Sequence, residues 1–198
     1  TSPFTDGQSL GQEVKMANSN KGIHTYSVQE ATNVLLPRLI KVNPTISDTD
    51  NDDNDLAFDW VEIPNASLVV GKPVKLVSIS CWDPGVSLGS FELFFCKGSG
   101  DAGTAPTAAQ RIGAADTAPD ITAAEGSAIV ICGSLPLTLD NAEGLTTGSV
   151  ATAANINLIM APATNSTSLY VGGVYRSNPG DNSSSGNTSM DLYLGFEG

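Results

Sequence analysis

The sequence is poor in groups that move protons: 198 residues include one histidine, His24, and nine bases against 21 acids. His24 lies in a polar stretch with no evident partner. It therefore reads as a surface or packing residue rather than a ligand or general base. Arg176 is the one base after Arg111. Nucleic-acid binding needs clustered Lys and Arg to displace counterions from phosphates, and no such stripe exists. A net charge of −12 equally disfavours anionic membrane surfaces. There is no run of about 18 apolar residues to span a bilayer, and no charged-then-apolar secretion pattern.

Cysteine is also scarce. Cys81, Cys96 and Cys132 make an odd count, and none has CxxC or other metal-ligand spacing. Each sits in or at the end of an apolar run, where a thiol acts as a small buried hydrophobe. That reading, rather than a disulfide or a reactive thiol, fits assembly in a reducing cytosol. No segment carries a sustained helical period, since Thr, Gly and Pro interrupt Ala-rich stretches such as 105–115.

What is present is strand and turn material. Hydrophobic residues make up 40% and charged residues only 15%. A chain of this size buries roughly 70% of the surface its unfolded form exposes, enough for one core without staples. The remaining surface is largely neutral Ser, Thr, Asn and Ala, which suits packing against copies or other subunits. Residues 1–22 read as a flexible N-terminal arm, of which 1–15, ahead of Met16, are an expression remnant, a propeptide or part of the arm. Residues 23–198 read as one β-sandwich domain.

The expected strands begin at 34–42, where Pro37 demands an edge or a bend, and at 57–63. In 74–82, Val77, Ile79 and Cys81 are expected on one face and Ser78 and Ser80 on the other. In 91–96, Phe91, Leu93 and Phe95 share a face opposite Phe94. The run 128–132 is continuously apolar, as for a strand covered on both faces, and Pro136 makes 134–140 an edge. Ile156, Leu158 and Met160 alternate with Asn155 and Asn157. The segment 168–176 holds Gly172-Gly173, a bulge or a place where another backbone comes close. Finally, Met190, Leu192, Leu194 and Phe196 point inward, with Asp191, Tyr193 and Gly195 outward. About eight antiparallel strands imply an all-β, jelly-roll-like sandwich. The stretches 98–125 and 177–189 are long non-strand connections.

The densest charge feature runs from Asp48 to Glu62, with seven of the 21 acids. Asp48, Asp50 and Asp52 have the alternate spacing by which a calcium loop presents oxygens, and Asp59 falls at position 12. Asp53 replaces the glycine required at position 6, Asp55 stands where an apolar residue belongs, and flanking helices are absent. The match to an EF-hand is thus poor. A looser calcium loop on Asp48, Asp50 and Asp52 stays open beside a solvated acidic turn that guards a sheet edge. No other cofactor is expected.

Two motif matches fail on context. Gly85-Val86-Ser87-Leu88-Gly89 fits GxSxG, but that elbow needs a following helix and a later histidine. Gly98, Gly100 and Gly103 fit GxGxxG, but no helix opens behind them. Four Asn-x-Ser/Thr triplets, at Asn65, Asn165, Asn182 and Asn187, arise by chance in so Asn- and Ser-rich a chain. Trp60, Trp82, Tyr170, Tyr175 and Tyr193 would serve a sugar-binding face if they converged, and otherwise serve core or interface. A hydrolase would need Asp83 and Glu92 to meet.

Several segments resemble small structural proteins of tailed bacteriophages, especially marine ones: Val61-Glu62-Ile63-Pro64-Asn65-Ala66, Lys75–Ser80 leading to Asp83, Glu92–Phe95, Thr167–Tyr175 and Met190–Phe196. The resemblance spans roughly residues 55–197. It implies a non-enzymatic virion component that decorates the head, assembled in the host cytoplasm. It further implies self-association as a homotrimer and docking to other virion proteins, with no active site to carry over. The alternative is a receptor- or carbohydrate-binding tail appendage of lectin-like fold.

Overall fold

A computed structural model of the chain describes residues 37–46, 50–51, 54–83, 90–99, 103–107, 110–113, 129–138, 148–176, 180–181 and 189–198. The expected arm and His24 lie outside these residues. Eight main strands follow in order: β1 (Arg38–Val42), β2 (Leu56–Ile63), β3 (Val74–Asp83), β4 (Ser90–Ser99), β5 (Ile129–Thr138), β6 (Ser149–Met160), β7 (Leu169–Tyr175) and β8 (Asp191–Glu197). Among the described residues there is no α-helix.

The strands form two four-stranded antiparallel sheets, ordered β1-β8-β3-β6 and β2-β7-β4-β5. First pairs with last, second with seventh, third with sixth and fourth with fifth, as when one long antiparallel ribbon is folded over on itself. That is the jelly roll. The inner faces meet in one core that includes Leu76, Ile79, Phe91, Leu93, Phe95, Val171, Leu192, Leu194 and Phe196, all at most 1% exposed.

β8 follows its alternation as expected. β1 begins directly after Pro37 and is an edge strand. The expected edge at Pro136 also holds, but 134–138 is not a separate strand: it continues 129–133 in one β5. Two expectations are corrected. Val77 does not share the inward face of Ile79 and Cys81. It is a bulge residue opposite Asn155–Asn157, and Leu76 takes the buried place. Asn155 and Asn157 adopt positive φ of 59° and 54°, which asparagine tolerates. The run 129–132 is not covered on both faces: β5 is an outer strand, with Val130 and Ile131 exposed by 42% and 47%. Apolar composition alone cannot separate a buried strand from an uncovered one.

The Gly172-Gly173 pair is approached by side chains rather than by another backbone. A Cβ at Gly172 would overlap Ile112, and one at Gly173 would overlap the Phe58 ring. The bulges lie in the partner strand β2, around Phe58.

Candidate functional site

The calcium candidates are not assembled into a describable site. Asp48 and Asp52 lie outside the described residues. Asp50 belongs to a two-residue ribbon, Asp50–Asn51 against Gly180–Asp181, which ties the acidic connection to the Ser/Asn/Gly connection. Among the described residues, no three His, Cys, Asp or Glu side chains gather as a metal would require.

The catalytic alternatives gain no geometry. Residues 84–89 lie outside the description, but β4 follows them where the GxSxG elbow needs a helix. After Gly98 (φ 97°), the Ser99 N–H donates to the Thr104 carbonyl at 2.9 Å in an isolated antiparallel bridge, and residues 100–102 lie outside the described residues. Asp83 is buried at the end of β3, while Glu92 sits on the outer face of the other sheet. There Arg176 donates to Glu92 from Nε at 2.8 Å, Nη2 lies 2.6 Å from the same carboxylate, and Nη1 donates to Asn54 at 2.7 Å.

All three cysteines are free, Cys81 and Cys96 fully buried and Cys132 half-buried. Burial raises each thiol pKa, that of Cys96 to about 12 and that of Cys132 to about 11, and it raises Cys81 further. They stay protonated near neutral pH and are poor nucleophiles.

The five aromatics do not gather on one exposed face. Tyr175 is in the core, its ring 4.8 Å from that of Phe91. Trp60 and Tyr170 pack together with Cys96 and Ile129 on the second sheet, while Trp82 and Tyr193 belong to the first.

What the sequence reading missed is a difference between the two outer faces. The second sheet is covered by a strap, residues 104–107 and 110–113. Ile112, 2% exposed, packs on Leu56 and Val174 with Trp60 and Phe94 beside it. The strap is pinned by hydrogen bonds: Trp60 Nε1 donates to the Gln110 carbonyl at 3.0 Å, Gln110 Nε2 to Ser99 Oγ at 2.8 Å, and the Ile112 N–H to Asp59 at 3.1 Å. Its signal was a lone isoleucine in a small-residue tract, matched by two glycines in a strand.

The first sheet carries no such cover among the described residues. Register places Leu39, Gly195, Ser78 and Ala154 in one row across it and Lys41, Tyr193, Ser80 and Thr152 in another. Its charges are paired within the face. Lys41 lies 2.8 Å from Asp191 and 5.5 Å from the centre of the Tyr193 ring, and Lys75 lies 2.6 Å from Glu197. The hydrogen bond to Asp191, with its charge, raises the Lys41 pKa and keeps it cationic. Leu39 and Ile159, each 68% exposed, stand on its two edge strands.

No protein-family model matches the chain, and no curated protein does. Among solved structures it is similar to a chain of the heated full particle of Israeli acute paralysis virus, with 11% identity, a TM-score of 0.32, and coverage of 96% of this chain and 83% of that one. Similarity extends to the Triatoma virus empty capsid (8% identity, TM-score 0.31, 97% and 83% covered) and the native virion of Kashmir bee virus (14%, 0.28, 99% and 82%). These are weak likenesses to capsids of insect viruses. None is to a tailed phage, so the expected phage resemblance finds no support there.

Proposed function

We propose that the protein is a non-enzymatic structural component of a virion, acting by self-association and by docking onto a larger shell. The observation that carries this reading is a sheet face left open among the described residues, internally neutral in charge, on a chain of net charge −12. Jelly rolls serve as capsid domains, as lectins and as cupins. A metal-binding cupin needs several imidazole or carboxylate ligands, and the chain has one histidine. A lectin reading wants exposed aromatics together, and these five are divided between core and two sheets. A face with its charges already paired loses little by being covered. Decoration of a tailed-phage head is the finer form of the proposal, without the homotrimer, which a two-fold pairing of sheet faces does not produce. It rests on the sequence resemblance alone.

The test is to purify particles from a host carrying the gene and quantify this chain in them. Many copies per particle are expected. A chain recovered only in the particle-free fraction contradicts the reading.

A further inference from the structure

We propose that the outer face of the β1-β8-β3-β6 sheet binds the same face of a second copy, about a two-fold axis parallel to the strands and between β8 and β3. This deepens the proposed function by naming the surface and the partner. Such an axis lays β1 over the partner's β6 and β8 over its β3, and it keeps every row at its own height.

The rows through Gly195, Tyr193 and Glu197 are complementary under that exchange, while the row beyond Tyr193 lays Asp191 over Trp82. Leu39 on β1 falls over Ala154 on β6, and Tyr193 on β8 over Ser80 on β3, so each large side chain faces a small one. Gly195 falls over Ser78. Where the row is charged, Lys75 on β3 falls over Glu197 on β8, so a cation meets an anion in both directions. A two-fold interface must be complementary to itself in this way. A chain of net charge −12 repels its copies everywhere except where acids are matched by bases, and this face supplies that matching. The second sheet is unsuited, because its strap already fills the place a partner would take.

The footprint also predicts strength. Four strands at a spacing of about 4.8 Å, over seven residues at about 3.4 Å each, cover about 450 Å². That is below the roughly 800 Å² per partner of a standard interface. The pair is therefore weak alone and gains from repetition on an assembled particle.

The test is a Leu39→Cys/Ala154→Cys double variant of the full chain, oxidised at high protein concentration. Within one chain the two positions are three strand spacings apart, about 14 Å, which no disulfide spans. Oxidation should shift the double variant from one-chain to two-chain mass on a non-reducing gel. Either single variant should stay at one chain, because the axis separates like positions. Loss of that band on adding Ser80→Asp, with an unchanged thermal melt, completes the expected pattern. A double variant that stays monomeric overturns the proposal, and so does a dimer formed equally by the single variants or unaffected by Ser80→Asp. None of these failures touches the virion role, which is read from particle composition.

Discussion

The two sheets share one core and differ in what lies on their outer sides. The β2-β7-β4-β5 sheet has large apolar groups there, Trp60, Phe94 and Val174, and the chain itself covers them with Ile112. The β1-β8-β3-β6 sheet has Ser78, Ser80, Tyr193 and Gly195 in its middle with Trp82 towards one end of β3, its charges paired and its two exposed aliphatics at the edges. Covering a sheet from within one chain stabilises the monomer. A neutral sheet left bare by the described residues costs little stability and keeps a surface for other subunits.

The comparison can be broken at several strengths. The interior common to both sheets is the most sensitive place. Leu194→Asp puts a charge at a fully buried position and should abolish folding, since burying it unpaired exceeds the total of about 5–15 kcal/mol a domain has. A soluble variant with a cooperative melt would show the inward face to be misassigned. On the covered sheet, Gly172→Val collides with Ile112 and should cost about 3 kcal/mol in denaturant unfolding. Ile112→Ala alone should cost about 2 kcal/mol. Combining the two should recover part of the loss, because the clash partner is gone. Full additivity would mean that the strap does not press on the glycine.

The thiols titrate the packing. Burial raises the Cys96 and Cys132 pKa to about 12 and 11, above the ordinary unfolded value of about 8.5. The unfolded chain therefore gains by ionising first. The stability that neutral thiols contribute is complete below about pH 8.5 and is lost as pH rises towards 11–12. Stability measured by equilibrium unfolding should fall over that window, and less steeply in Cys96→Ala. Equal slopes would remove the thiols from the account. On the open sheet, Thr152→Asp should move stability by no more than about 0.5 kcal/mol, the smallest effect of the series. A large loss would mean that this face is packed rather than open.

Local pattern made much of this legible. The alternation of Met190, Leu192, Leu194 and Phe196, and of Phe91, Leu93 and Phe95, carried the inner faces correctly, because a half-buried strand repeats every two residues. The strand count and the prolines at 37 and 136 pointed to a sandwich with edges there. Val77 was misplaced because a three-residue bulge in another strand resets the phase, and nothing within 74–83 records it. The exposure of Val130 and Ile131 depends on strand order, and the strap depends on a contact between Ile112 and residues some 50–60 positions away. The Gly172-Gly173 pair pointed to a bulge or an approaching backbone, whereas the side chains of Ile112 and Phe58 fill the space. Of the calcium candidates, only the Asp50 backbone falls within the described residues.

The most direct measurement is sedimentation equilibrium of the full-length chain over a wide concentration range, alongside Ser80→Asp and a Val69→Asp control. Val69, 55% exposed in the connection between β2 and β3, lies off the open face. The account predicts an average mass that rises above 20.4 kDa with concentration for wild type and Val69→Asp, and stays at one chain for Ser80→Asp. A wild-type mass of 20.4 kDa at every concentration, or association untouched by Ser80→Asp, would contradict it.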